Sequence, residues 1–234
     1  MLKTAIVLAG GLGTRLRSVV ADVPKPMAPI MNQPFLAHQL DYWLTQGIEH
    51  FILSVGYKHE VIMDYFQSYY KGAKIDYVIE QLPIGTGGGL LNAVNVSKIN
   101  RPFLLLNGDT YFTVNLTNLI KFADSNDADW TFALFTNNDS QRYMGISIAE
   151  DGEILQLNAK NNNLVSGGVY WIRNAEMLSA FAYDYKEPIS LEHDILPNLL
   201  ENNFRLFGFE YNAPFIDIGL PHDYNRAGSV LTKA

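Results

Sequence analysis

Thr4-Ala5-Ile6-Val7-Leu8-Ala9-Gly10-Gly11-Leu12-Gly13-Thr14-Arg15-Leu16 is the stretch from which the fold can be read. Residues Thr4 to Leu8 form a continuous apolar run that ends at glycine, as expected of a strand buried on both faces. Glycines at the carboxyl edge of such a strand let the backbone approach an anion and turn N–H groups toward it. Arg15, and Lys25 in Pro24-Lys25-Pro26, add positive charge suited to a polyphosphate. Two other phosphate loops are excluded. A dinucleotide fingerprint needs glycine where Leu16 stands and an acidic residue after the second strand, which ends Ser54-Val55-Gly56. A Walker loop needs Gly-Lys-Ser/Thr, which occurs nowhere in the chain.

Outward from this loop, strand and helix periods alternate. Leu36, Leu40, Trp43 and Leu44 follow helical spacing, with Gly47 at the helix end. Phe51 to Val55 reads as the second strand, and Val61, Ile62, Tyr65, Phe66 and Tyr69 as a helical face stopped near Gly72. Ile75, Tyr77 and Ile79 alternate as a third strand. Leu90 to Val96 reads as a helix, and Phe103 to Leu106 as a fourth, wholly apolar strand. The alternation implies an α/β fold: a Rossmann-like, doubly wound, mostly parallel mixed sheet. Further on, Trp130 to Phe135 and Val169 to Ile172 read as strands. Ile146 to Leu157 reads as a hairpin turning at Gly152, and Asn161-Asn162-Asn163 as a polar turn. Ser190 is placed as the N-cap of a helix to Asn202. Phe204 to Tyr211 and Phe215 to Ile218 are late strands, and Pro221 opens a terminal helix. One continuous domain, residues 1–234, is expected.

Composition narrows the function. Hydrophobic residues make up 48% and charged residues 18%, enough for a core and too little charge for a disordered chain. The net charge of −7 disfavours a nucleic-acid partner. The absence of cysteine excludes disulfides, thiolate nucleophiles and cysteine-based metal sites. The opening apolar run is too short for a signal peptide, and no stretch approaches a membrane span, so a cytoplasmic protein without membrane partners is expected. The five histidines show no metal-ligand spacing and read as surface or capping residues. His59-Glu60-Val61-Ile62-Met63 lacks a zincin's second histidine.

The string Gly10-Gly11-Leu12-Gly13-Thr14-Arg15-Leu16 followed by Pro24-Lys25-Pro26 resembles the opening of the sugar-1-phosphate nucleotidyltransferases, and later landmarks of that family recur in order over nearly the whole chain. The resemblance implies the nucleotide-diphospho-sugar transferase fold, with a nucleotide-binding half at about 1–110 and a sugar-binding half at about 111–234. It puts Leu8, Gly10, Gly11, Gly13, Thr14, Asn107 and Gly108 on the nucleotide, and Arg15 and Lys25 over the reacting phosphates. Glu80-Gln81-Leu82-Pro83-Ile84-Gly85-Thr86-Gly87-Gly88-Gly89 corresponds to the loop against the nucleobase, with Gly85 and Thr86 nearest it. Glycine backbone can lie flat beside a base, and Glu80 offers a polar edge to read it. Leu104-Leu105-Leu106-Asn107-Gly108-Asp109 delivers a carboxylate to the sheet's carboxyl edge, where open α/β sheets bind ligands. Mg²⁺ takes carboxylate and phosphate oxygens together, and Asp109 suits it. Asp217 in Phe215-Ile216-Asp217-Ile218-Gly219 corresponds to the family's second metal-binding aspartate.

On the sugar side the resemblance is looser. Tyr143-Met144-Gly145, Lys160, Ser166-Gly167-Gly168 and Ser190-Leu191-Glu192 match family segments, which implies sugar contacts by Gly145, Lys160, Ser166, Gly168 and Glu192. Ala159 and Ser166 stand where the family usually has Glu and Asn. The expected reaction joins a nucleoside triphosphate, GTP favoured, to a sugar 1-phosphate. The subgroup that the chain looks most like is the D-glycero-α-D-manno-heptose-1-phosphate guanylyltransferases. Alternatives are a uridylyltransferase acting on N-acetylmuramate 1-phosphate and a thymidylyltransferase acting on glucose 1-phosphate. A sugar-nucleotide sensor is a non-catalytic alternative, disfavoured because Arg15, Lys25, Asp109 and Asp217 are all present. No appended β-helix domain is expected, and a homo-oligomer is left open.

Overall fold

The computed structural model describes residues 3–16, 19–20, 22–137, 143, 145–160, 162–181 and 187–232; the readings made of Met144 and Asn161 fall outside them. In chain order the strands are β1 (Thr4–Ala9), β2 (Pro29–Ile30), β3 (Gln33–Pro34), β4 (His50–Val55), β5 (Tyr69–Tyr70), β6 (Ala73–Ile79), β7 (Phe103–Asn107), β8 (Thr110–Phe112), β9 (Trp130–Thr136), β10 (Ile146–Ile148), β11 (Ile154–Leu157), β12 (Leu164–Ile172), β13 (Leu206–Glu210) and β14 (Phe215–Asp217). The α-helices are α1 (Phe35–Thr45), α2 (His59–Phe66), α3 (Gly85–Ser97), α4 (Leu116–Ser125), α5 (Leu196–Glu201) and α6 (Pro221–Leu231).

Eight strands form one mixed sheet in the order β13-β9-β12-β7-β1-β4-β6-β5. β1 lies parallel to β4 on one side and to β7 on the other. The chain winds outward from β1 through β4 and β6, then returns across it to β7. Strand order therefore reverses at β1, and a crevice opens beyond its carboxyl end, the usual ligand position in such sheets. β12 runs antiparallel between β7 and β9. β14 stays out of the main sheet and pairs antiparallel with β8.

The period-two alternation of the buried strands distributes their side chains to two cores. Ala5, Val7, Leu104 and Leu106 face α1 and α4, where Leu36, Leu40, Trp43 and Leu119 meet them. Ile6, Leu105 and Phe132 face the other layer, with Leu90, Leu196 and Leu199. Each such aliphatic side chain contributes roughly 1.5–3 kcal/mol on burial. A third cluster joins Leu16, Ile30 and Phe35 to Ile216, Ile218 and Leu231, fixing the β8–β14 ribbon and α6 against the N-terminal segment.

Three readings are corrected and one helix is added. Gly85 to Gly89 do not form a loop but begin α3, and its glycines stand where a side chain would collide with Ile189 (Gly85, Gly87), Ile84 (Gly88) or Glu80 (Gly89). Tyr69 leaves the helical face: α2 ends at Phe66, Gln67 takes φ +53°, and Tyr69 pairs in β5. α4 was not expected; Leu116, Leu119 and Ala123 form its buried stripe and Asn115 caps it. His50 is buried rather than at the surface, with Nε2 2.8 Å from Asp76 Oδ2 and Nδ1 3.4 Å from Thr4 Oγ1. Among the described residues no helix is long and apolar enough to cross a membrane.

Candidate active site

A cleft of about 350 Å³ opens at the carboxyl ends of β1 and β7. Leu8, Gly10, Gly11, Gly13, Thr14 and Arg15 line one wall; Glu80, Gly85 and Thr86 line another; Lys25, Asn107, Gly108 and Asp109 close the floor. Close backbone approach builds this floor. Gly108 N donates to Leu8 O at 2.9 Å, and a Cβ on Gly108 would stand 2.7 Å from that same oxygen. Gly85, at φ +79°, abuts the carbonyl of Ile189, which accepts from Gly87 N at 2.8 Å and Gly88 N at 3.1 Å. The start of α3 is thereby tied to the segment before Glu192.

The two aspartates converge. β8 follows Asp109 directly and pairs with β14, setting Asp217 opposite Thr110. Ile218 N donates to Asp109 O at 3.0 Å. Lys25 Nζ lies 2.6 Å from Asp109 Oδ2 and 3.6 Å from Asp217 Oδ1, so one ammonium faces both carboxylates. Gly219 N donates to Asp217 Oδ1 at 2.6 Å, and the Tyr143 hydroxyl lies 3.4 Å from Oδ2. Two carboxylates facing one cationic position, beside a glycine-lined cleft, suit a divalent cation of the oxygen-liganded kind. That ion takes one or two protein carboxylates and draws its other ligands from phosphate and water. Among the described residues no group of three or more acidic or histidine side chains forms an all-protein cage.

The sugar-side residues divide. Thr86 Oγ1 donates to Glu192 Oε2 at 3.0 Å and accepts from Leu191 N at 2.9 Å; Thr86 lines the cleft, whereas Glu192, Ser166 and Gly168 lie outside its lining. Ser190 Oγ accepts from His193 N at 3.1 Å, as an N-cap does, and donates to Glu192 Oε2 at 3.2 Å. The helix it caps opens with a π-helical turn, Leu191–Ile195, before α5. Gly168 packs against the Asn107 amide and the Thr110 hydroxyl, and Gly168 N donates to Ser166 Oγ at 3.2 Å. Burial pushes the Tyr170 phenol well up; the nearby Glu192 and Asp109 charges add to this and the Ser166 hydroxyl opposes it. Gly145 stands apart from the cleft lining and pairs with Val165. Lys160 is an exposed turn residue after β11 and does not line the cleft.

A family model described as nucleotidyl transferase matches residues 4–234. The chain belongs to the nucleotidyl transferase family. This nucleotidyltransferase is 42% identical over 231 residues, 97% of both chains, to a D-glycero-alpha-D-manno-heptose 1-phosphate guanylyltransferase of Aneurinibacillus thermoaerophilus. It is 39% identical to a protein of the same description from Campylobacter jejuni, covering 94% of this chain and 96% of that one. Among solved structures it is similar to HddC from Yersinia pseudotuberculosis complexed with GMP-PN. That match has a TM-score of 0.81 and 33% identity, over 97% of this chain and 99% of the other.

Two residues of the nucleotidyltransferase site had no part in the motif reading. Ser54 Oγ donates to Glu80 Oε1 at 2.8 Å. Burial pushes the Glu80 carboxyl above its ordinary value, and the Ser54 hydrogen bond opposes this. Gln39, on α1, donates to the carbonyls on either side of the Gly108-Asp109 pair. Its signal was present in the sequence, as a lone amide on the stripe formed by Leu36, Leu40 and Trp43.

Proposed function

We propose that this chain transfers GMP from GTP to D-glycero-α-D-manno-heptose 1-phosphate, releasing pyrophosphate and forming the GDP-sugar. A phosphate oxygen of the sugar 1-phosphate attacks the α-phosphorus in line. The new P–O bond forms as the α–β bridge breaks, and pyrophosphate leaves with the bridging electron pair. The nucleophile is already anionic, so no general base is needed, and catalysis is positioning plus charge neutralisation.

The chain's own groups divide this work. The Gly10–Gly13 backbone and Thr14 cradle the triphosphate. Arg15 and Lys25 offset charge on the departing pyrophosphate and the α-phosphate. Gly85 and Thr86 hold the base. Glu80 accepts from the N1–H and exocyclic N–H of guanine, a donor pair that uracil and thymine lack. Asp109 and Asp217 would hold Mg²⁺, which supplies Lewis-acid neutralisation at the phosphates when bound. Gly145, Lys160, Ser166, Gly168 and Glu192 serve the sugar phosphate and hydroxyls. The nucleotide thus falls mainly to residues 1–110 and the sugar to 111–234, with Thr86 and Glu192 joined across that division.

The observation that carries the reading is the convergence of Asp109 and Asp217 on Lys25, which together with Asp109 lines the glycine-rich cleft. A matrix of GTP, UTP, dTTP, CTP and ATP against several sugar 1-phosphates, scored by pyrophosphate release, tests it. GTP with the heptose 1-phosphate should give the highest kcat/KM. A preference for another pair would reassign the substrates, and tight nucleotide binding without release would favour a sensor.

A further inference from the structure

We propose that Gln39 is a positioning residue for Asp109, clamping from below the turn that carries it; this rests on the reading of Asp109 as a cation-holding carboxylate. Gln39 lies on α1 between Leu36 and Leu40 and is 1% exposed. A primary amide in an apolar layer is costly unless its hydrogen-bonding groups are used. Gln39 uses its donor end twice. Nε2 donates to Asn107 O at 2.8 Å and to Thr110 O at 2.7 Å. These carbonyls flank Gly108-Asp109, where β7 turns into β8. Among the described residues the buried Oε1 has no hydrogen-bond partner, so the polar contacts of this side chain are those of its donor end.

The remaining backbone of this turn is fixed as well. Gly108 N is bonded to Leu8 O at 2.9 Å, and Asp109 O accepts from Ile218 N at 3.0 Å. Gly168 packs beneath, against the Asn107 amide and the Thr110 hydroxyl. Gln39 thus adds two side-chain hydrogen bonds to the backbone of Asn107 and Thr110, from 68 and 71 residues away in the sequence. Without it, Thr110 O loses its amide donor and Asn107 O is left with only the longer 3.4 Å bond from the Thr110 hydroxyl, so the peptides on both sides of Asp109 are free to rotate. The carboxylate would then leave its line toward Asp217 and Lys25. Groups that orient a metal-holding side chain typically matter about 10–100-fold in metal affinity or activity.

The test uses Gln39→Met, which keeps length and bulk without donors, and Gln39→Asn, which keeps the amide but withdraws it. Leu40→Ala, equally buried on the same helix, serves as the control for lost packing. Mn²⁺ is titrated into each protein saturated with GTP, without sugar 1-phosphate, and followed by water-proton relaxation to distinguish protein-bound Mn²⁺ from Mn²⁺–GTP. Gln39→Met should bind Mn²⁺ roughly 10–100-fold more weakly, with GTP affinity in the absence of metal within about twofold of wild type. Its kcat should fall while its KM for GTP changes little. Gln39→Asn should fall between, and it decides the matter if Gln39→Met does not fold. Leu40→Ala should lower the melting temperature and keep wild-type Mn²⁺ affinity. Wild-type Mn²⁺ affinity in the Gln39 variants, or an equal loss in Leu40→Ala, would overturn the proposal. If the wild-type protein takes up no Mn²⁺ with GTP, the reading of Asp109 falls first and the role of Gln39 with it.

Discussion

Alanine at Gly85 separates two costs that this fold imposes at one position. The residue has φ +79°, where an L-side chain costs about 1–2 kcal/mol. An added Cβ would also overlap the Ile189 carbonyl, standing 2.8 Å from its carbon and 3.0 Å from Ile189 N. Relief requires moving a carbonyl that accepts from Gly87 N and Gly88 N, each bond contributing roughly 0.5–1.5 kcal/mol. Together these amount to about 2–5 kcal/mol, or about 4–20 °C in Tm at roughly 2–4 °C per kcal/mol for a domain of this size. Gly72→Ala supplies the comparison: its φ is +92°, but nothing lies within 4 Å of the added Cβ. Only the backbone cost remains, about 1–2 kcal/mol, or about 2–8 °C. Circular dichroism melts and steady-state kinetics would be run on both variants. Gly85→Ala should lose at least twice the Tm of Gly72→Ala and raise the KM for GTP about tenfold, the equivalent of roughly 1.4 kcal/mol. Equal Tm losses with unchanged KM would refute the role given to the Gly85–Ile189 contact.

Further outcomes are expected from the same geometry. Asp109→Asn and Asp217→Asn should each lower kcat by about 10²–10³ with normal melting curves; near-normal turnover would contradict their place at the reacting phosphates. Lys25→Met should depress kcat and also lower Tm slightly, since the ammonium faces both carboxylates; a change in GTP binding alone would count against that double contact. Glu80→Gln should raise the KM for GTP while leaving that for the sugar 1-phosphate unchanged. For the same Glu80, burial raises the folded-state value above the ordinary 4.5, so the folded chain binds its proton more tightly than the unfolded chain. Stability should therefore fall as pH rises from 4.5 toward the folded value, and Glu80→Gln should remove that part of the slope. An identical pH–stability curve in the variant would refute the assignment.

Much of this fold was legible because its first half obeys local rules. β1 and β7 are unbroken apolar runs, and a run of that kind ending in Gly10-Gly11 or Asn107-Gly108-Asp109 announces a buried strand delivering a loop to the sheet edge. The start of α3 misled because three successive glycines oppose helix by propensity. Their close neighbours explain them: Gly87 packs against Ile189, a hundred residues on, Gly88 against Ile84 and Gly89 against Glu80. The pairing of β8 with β14 is likewise a long-range event; nothing local in either segment states that Asp109 and Asp217 meet, and the expectation came from resemblance. His50 read as a surface residue because its partners, Thr4 and Asp76, lie on neighbouring strands rather than nearby in sequence. Gln39 was legible in principle, as a polar residue on an apolar helical stripe, but its purpose depends on a turn seventy residues away.

The most direct measurement is an anomalous difference map from crystals of this nucleotidyltransferase soaked with Mn²⁺ and GTP. A Mn²⁺ peak between the carboxylates of Asp109 and Asp217, with the triphosphate along Gly10 to Arg15, is the expected result. Nucleotide seated elsewhere, or a Mn²⁺ peak away from both aspartates, would contradict it.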